Sequence, residues 1–330
     1  MAAARVRWGV LGVASIAVRR LIPAIARSRT GALQAVASRD LRRAEQAAAQ
    51  FGIPRAYGSY EALLADREVD AVYIPLPNTL HRPWTERAVA AGKHVLCEKP
   101  LGVTAADAAP MVEAAARAGV ILQEAFMYRF HPQIEHLREL LRGGALGEVR
   151  LVRAAFSFGV GGRGNIRLQA ALGGGGLLDV GCYCVSVARL LLGEPETVFA
   201  SADYEGGVDV RLAGALRFPG GAMALIDCGL RSPYRQECEV VGSEGAALLL
   251  RPFQPEEEPA EVIIRRARGR PEERIAIPGA NQYVLLVDHV AALIAGEPAR
   301  YPPQDALANM GALDALGQAA RTGAAVPVAR

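Results

Sequence analysis

From Val6 onward, short apolar runs alternate with helical patterns, and only a few residues separate one from the next. The runs occupy residues 6–11, 33–37, 70–74, 94–97 and 120–123. Such alternation predicts an α/β fold, with a parallel, doubly wound sheet carrying helices on both faces. In a sheet of that kind, ligands bind just beyond the carboxyl ends of the strands. The residues that follow each run are therefore the candidates for chemistry.

The first run ends in Gly12-Val13-Ala14-Ser15-Ile16-Ala17, followed by a helical pattern over 16–27. This is a dinucleotide turn with alanine in the second and third glycine places. It asks for a tight bend at Gly12 and close backbone approach near Ala14, Ser15 and Ile16. The second run is followed by Ser38 and Arg39, with Arg42 and Arg43 one turn further. A carboxylate there would hold a ribose 2′-hydroxyl, whereas a guanidinium grips a 2′-phosphate bidentately. The expected cofactor is therefore NADP, with NAD second.

The third run opens into Pro75-Leu76-Pro77-Asn78-Thr79-Leu80-His81. Pro75, Leu76 and Asn78 are candidate cofactor contacts at the sheet's ligand edge. His81 could bond the nicotinamide ribose or its amide. The fourth run stops at Glu98-Lys99-Pro100, since proline ends a strand sharply. Lysine occurs only at Lys93 and Lys99, although Lys+Arg total 37. Arginine stays protonated, while a lysine pKa moves with burial and neighbours. Lys99 is therefore placed to act on something bound in the crevice, with Glu98 beside it.

A chain of 330 residues fits two domains. The boundary is expected near Glu124, giving a cofactor domain over 1–124 and a second domain over 125–330. A net charge of +3 gives no reason to invoke nucleic acid or an anionic membrane. No apolar run reaches the roughly 18 residues of a membrane span, and the first residues lack a signal-peptide core. The cytoplasm is the expected location. Cys97, Cys182, Cys184, Cys228 and Cys238 are odd in number and form no CxxC pair, so buried free thiols are expected rather than disulfides or a zinc site.

Gly12-x-Ala14, Glu98-Lys99-Pro100 and the Glu124 to His131 run together resemble the Gfo/Idh/MocA family of NAD(P)-dependent oxidoreductases. Within it the chain is most similar to the sugar dehydrogenase and dimeric dihydrodiol dehydrogenase branch. The run from Gly174 through Leu177-Leu178-Asp179-Val180-Gly181-Cys182-Tyr183 fits as well. Many members carry histidine where this chain has Tyr183. The rest of the second domain reads as a long alternating strand over 149–158, a helix over 179–192, then mostly strands from 197 to 277, with Pro219-Gly220-Gly221 as a hairpin turn. That describes an α+β domain with a large, mostly antiparallel sheet. The resemblance implies subunit contacts through its open face, as a homodimer or homotetramer.

Hydride transfer needs a nicotinamide, a carbinol or carbonyl, and a group to handle the oxygen's proton. Tyr183 is the preferred acid/base, and Lys99 could lower its pKa or carry the proton itself. The two lie in different domains, so the cleft would be assembled between them. Asp179, four residues before Tyr183, falls on the same helix face. Tyr128, Phe158, Arg167 and Gln282 could line the substrate site. The expected activity is NADP-dependent oxidation or reduction of a sugar-like polyol. A trans-dihydrodiol substrate, a non-catalytic NADP-binding regulator and a non-redox lyase or glycosidase stand as alternatives.

Overall fold

All five apolar runs become strands. The computed structural model describes residues 5–162, 164–266 and 270–329. The strands are β1 (Val6–Leu11), β2 (Gly31–Ala37), β4 (Ala71–Ile74), β5 (His94–Cys97) and β6 (Leu122–Glu124). A sixth, β3 (Arg55–Tyr57), was not expected from the sequence. Its three half-buried residues lie at the sheet's edge and have no burial alternation to reveal them. The order is β3-β2-β1-β4-β5-β6, every neighbouring pair parallel. The order reverses between β1 and β4, and the crevice at such a switch point is where ligands bind.

The helices of this unit are α1 (Ile22–Arg27), α2 (Leu41–Phe51), α3 (Tyr60–Leu64), α4 (His81–Ala90) and α5 (Ala105–Ala118). Side chains of Asp40, Ser59 and Thr104 cap α2, α3 and α5, each accepting a backbone N–H that the helix itself cannot satisfy. The turn Ala17–Leu21, ahead of α1, is wound as a π-helix. Lys93 is fixed by donating to the carbonyls of Asp66 and Val69, both at 2.7 Å.

The second unit holds α6 (Pro132–Arg142), β7 (Val149–Gly159), α7 (Cys182–Leu192), β8 (Thr197–Glu205), β9 (Val208–Arg217), β10 (Met223–Gly229), β11 (Arg231–Gly242), β12 (Ala246–Leu249), β13 (Ala260–Arg265) and β14 (Glu273–Ile277). With β15 (Val326–Pro327) they form a nine-stranded sheet, β14-β13-β12-β11-β7-β10-β9-β8-β15. Among the described residues, only β7 and β10 of this sheet pair in parallel. Along β10, Ala224, Ile226 and Cys228 are buried while Met223 and Leu225 are exposed, so one face packs and the other is open.

The stretch Ala170–Leu192 is long and apolar enough to match a membrane span, which the sequence reading did not find. It is mostly buried inside the protein and interrupted by glycines, as befits a core segment. No other helix among the described residues is long and apolar enough to cross a membrane.

The division of the chain differs from the expected one. The units are Met1–Met127 with Asn281–Leu307, and Tyr128–Ala280 with Ala308–Arg330. The reason lies in α8 (Gln282–Ile294). Its Asp288 accepts hydrogen bonds from the Ser28 and Thr30 hydroxyls, each at 2.5 Å, which fastens the helix beside the β2 entrance. The following helix, α9 (Pro303–Thr322), carries Asn309, which accepts from Arg189 in the second unit's core.

Candidate active site

At the carboxyl end of β1, Gly12 takes φ +117°, a conformation that favours glycine, while its N–H donates to Ala37. The helix that follows Ala14 has no acidic residue in its first turn and no side-chain cap. Ser15 is exposed, and Ala14 and Ile16 are half-buried. An uncapped helix start of this kind suits a phosphate.

Arg39 and Arg43 stand over the same turn. Arg43 donates from Nη2 to the Val13 carbonyl at 3.2 Å. Burial pushes the Tyr60 phenol up, and Arg39 and Arg43 pull it back, which places both guanidiniums near its hydroxyl. A Cβ on Gly12 would lie 3.4 Å from that hydroxyl. Two exposed guanidiniums thus flank the Gly12 turn. Ser38 is buried and its Oγ accepts from the Asp40 N–H, so it shapes the turn after β2. These residues fit a dinucleotide, and the guanidiniums fit one carrying an additional phosphate.

After β4, Pro75 is buried and Leu76 and Asn78 are half-buried. His81 corrects the expectation that it bonds the cofactor. The ring is fully buried, with Nδ1 2.9 Å from the Pro100 carbonyl and Nε2 2.9 Å from the Leu76 carbonyl. Both nitrogens face backbone, so His81 ties the β4 loop to the turn after β5. Burial lowers its pKa, opposed by the carbonyls and supported by the nearby Lys99 charge.

Glu98 and Lys99 follow β5 and are half-buried. Tyr73, fully buried in β4, donates its hydroxyl to Glu98 Oε1 at 2.6 Å. Glu98 Oε2 accepts from the Lys99 N–H at 3.3 Å. Glu124, at the end of β6, accepts from the Leu101 N–H at 2.8 Å. Carboxylates thus hold the backbone on either side of the Lys99–Pro100 peptide, which is cis.

In the second unit, Asp179 lies within a π-helical turn, Leu177–Gly181, that runs into α7. Its Oδ2 accepts from Arg167 Nε at 2.6 Å. Arg167 also lies over the Phe158 ring at 5.5 Å. Tyr183 is buried against Phe156 and Phe253, each at 5.4 Å, and Tyr128 at 5.8 Å. Asp179, Arg167 and Phe158 are thus one group, with Tyr183 a helical turn beyond Asp179.

One candidate substrate residue is corrected. Tyr128 is fully buried and shares a 2.6 Å hydrogen bond with Ser186, so it supports α7 rather than lining a surface. Gln282 is buried at the start of α8, within the first unit. Three residues were missed. Tyr60 and Tyr73 sit on a helix and a strand as ordinary apolar positions. Asp209 reaches its partner from 32 residues away.

The model of an oxidoreductase family with an NAD-binding Rossmann fold, Gfo/Idh/MocA, matches residues 6–126, and that family's C-terminal domain matches residues 134–248. The chain belongs to the Gfo/Idh/MocA oxidoreductase family. Among its Gfo/Idh/MocA-type relatives is the D-xylose 1-dehydrogenase (NADP(+)) 2 of Haloferax volcanii, 42% identical over 97% of this chain and 98% of that one. The trans-1,2-dihydrobenzene-1,2-diol dehydrogenase of Oryctolagus cuniculus is 42% identical over 71% of each. The crystal structure of a 3-ketoreductase from Actinomadura kijaniata, with NADP and TDP-benzene, superposes with TM-score 0.91 at 35% identity, covering 96% of this chain and 98% of that one. This Gfo/Idh/MocA chain is therefore an oxidoreductase with a second, mostly antiparallel sheet.

Proposed function

We propose that the protein is an NADP-dependent oxidoreductase that interconverts a hydroxyl and a keto group on a sugar-like polyol. The observation that carries this reading is the pair Arg39 and Arg43 at the Gly12 turn, where no carboxylate ends β2. Relatives acting on D-xylose with NADP(+), and on a dTDP-linked keto-sugar, support the substrate class.

Gly12, Ala14, Ser15 and Ile16 would hold the pyrophosphate, and Arg39 and Arg43 the 2′-phosphate. The nicotinamide, when bound, supplies or takes the hydride. In the oxidising direction Tyr183 takes the hydroxyl proton as the carbinol C–H bond breaks. Two electrons leave with the hydride and the carbon becomes a carbonyl. Lys99 supplies an ammonium that stabilises negative charge developing on that oxygen. Glu98, held by Tyr73, fixes the backbone that carries Lys99. Asp179, oriented by Arg167, accepts from a neighbouring substrate hydroxyl.

A trans-dihydrodiol is the second reading, favoured by the Oryctolagus cuniculus relative. A screen of aldoses, polyols, keto-sugars and trans-dihydrodiols against NADP and NAD, followed by NADPH absorbance, tests both. Turnover of an aldose or keto-sugar with NADP is expected. Turnover of dihydrodiols alone selects the second reading, and no net NADPH change with any of them defeats the redox assignment.

The open sheet face supports a homo-oligomer, a dimer or tetramer, since Phe199, Met223 and Leu225 are each more than two-fifths exposed. All five cysteines are free thiols, which suits a reducing compartment, the cytoplasm.

A further inference from the structure

The run Gly173 to Gly176 is the one low-complexity feature of the chain, and the proposed reaction gives it no task. Its surroundings do. Gly174 donates to the Gln169 carbonyl and Gly175 to the Arg167 carbonyl, at 3.0 and 2.9 Å. A Cβ on Gly174 would stand 2.5 Å from the Arg167 carbonyl oxygen. Gly175 takes φ +124°, and a Cβ there would run into Asp209 Oδ1. The glycines therefore clear space for two neighbours, the Arg167 backbone and the Asp209 carboxylate.

Asp209 projects from β9, and its Oδ2 accepts the Leu177 N–H at 2.6 Å. The Gly176 N–H and the residue's own N–H also favour its charged form, against the burial that raises its pKa. Leu177 is the first residue of the π-turn, and the next bond inward runs from the Asp179 N–H to the Gly175 carbonyl at 3.0 Å. The start of a helical segment leaves N–H groups unsatisfied, and a carboxylate suits them both as acceptor and as charge. On its other side the π-turn is pressed to β10, where a Cβ on Gly181 would lie 2.8 Å from Cys228 Sγ. Two adjacent strands, β9 and β10, thus fix both ends of a five-residue turn that contains Asp179 and leads directly to Tyr183.

We propose that Asp209 is a positioning residue for the reaction: by holding the Gly176–Leu177 amides against the sheet, it sets where Asp179 and Tyr183 stand. This rests on the reading that those two residues serve catalysis. A carboxylate that only stabilised the fold would lower the melting temperature and leave the turnover of folded protein alone. One that positions reacting groups lowers kcat well below the melting temperature, because a misplacement of about 1 Å costs on the order of 100-fold in rate.

The test uses the full-length protein with its best substrate, at a temperature where each variant is folded by circular dichroism. Asp209→Ala is expected to lose about 100-fold in kcat. Asp209→Asn keeps the shape and one acceptor oxygen and is expected to recover roughly a tenth of wild-type kcat. The KM for NADP is expected to stay within about twofold in both, since kcat without KM marks an effect on the transition state alone. Tyr183→Phe is measured alongside. Wild-type kcat in folded Asp209→Ala, with Tyr183→Phe impaired, overturns this inference and leaves the functional reading standing. If Asp209→Ala does not fold, wild-type kcat in Asp209→Asn overturns it instead. Full turnover in Tyr183→Phe overturns the catalytic role given to Tyr183, and this inference with it, while leaving the redox assignment standing.

Discussion

Tyr73 donates its hydroxyl hydrogen to Glu98 Oε1 across 2.6 Å, from a ring with no exposed surface. Burial and the neighbouring Glu98 both push its phenol well above the ordinary value, so it remains a donor at any working pH. Tyr73→Phe removes the hydroxyl and nothing else. We expect a loss of about 1–3 kcal/mol in stability, the cost of leaving a partly buried acceptor short of a partner. We also expect kcat to fall more than NADP affinity, because Glu98 braces the Lys99 backbone. Chemical denaturation and steady-state kinetics on the same preparation check both.

Arg39 and Arg43 flank the Gly12 turn, so cofactor choice is predicted to depend on them. Arg39→Ala is expected to weaken NADP by about 10- to 100-fold, the worth of one charge-assisted phosphate contact, and NAD by far less. Calorimetric titration with each nucleotide measures the difference. Equal losses for the two would refute the phosphate role.

Acid stability follows from Asp66 and Asp70. Burial would raise each carboxyl, but the hydrogen bonds from Arg55 to Asp66 and from Arg7 to Asp70 outweigh it and hold both below the ordinary value. A carboxylate with a depressed folded pKa stabilises the fold above its unfolded pKa, about 3.9, and loses that contribution as pH falls through the folded value. Stability is therefore expected to drop below about pH 4. Asp66→Asn and Asp70→Asn should lower the melting temperature at neutral pH and flatten this acid limb. An acid limb as steep as wild type in both variants would contradict the assignment.

The open sheet face predicts an assembly. Leu225, 43% exposed, lies on it beside Phe199 and Asp227. Leu225→Glu places a charge where a second copy would pack, and sedimentation velocity should show a shift toward monomer. An unchanged sedimentation coefficient would place the contact elsewhere.

The parallel half of the fold was legible because its strands are continuous apolar runs cut by turn residues, a pattern local enough to read. The short edge strand at Arg55–Tyr57 was not, since half-buried edge residues carry no periodicity. The Asn281 cap announces α8, but nothing in 13 apolar-rich residues states which sheet they pack on. That depends on Asp288 meeting Ser28 and Thr30 some 260 residues earlier. His81 illustrates the same limit within a site: a polar residue at the ligand edge reads as a contact, and only its burial against two carbonyls shows its structural use. The π-turns before α1 and α7 were also invisible, because one widened turn barely alters a 3.6-residue pattern.

The proposed chemistry depends most on Lys99. The decisive measurement is the kcat and NADP dissociation constant of Lys99→Met, which keeps the stem and deletes the ammonium. We predict a fall in kcat of at least about 100- to 10,000-fold, the range for losing a proton-handling or oxyanion-stabilising group. NADP binding should stay within about threefold of wild type, as for an interaction made only in the transition state. Turnover near the wild-type rate with NADP bound normally would contradict the account.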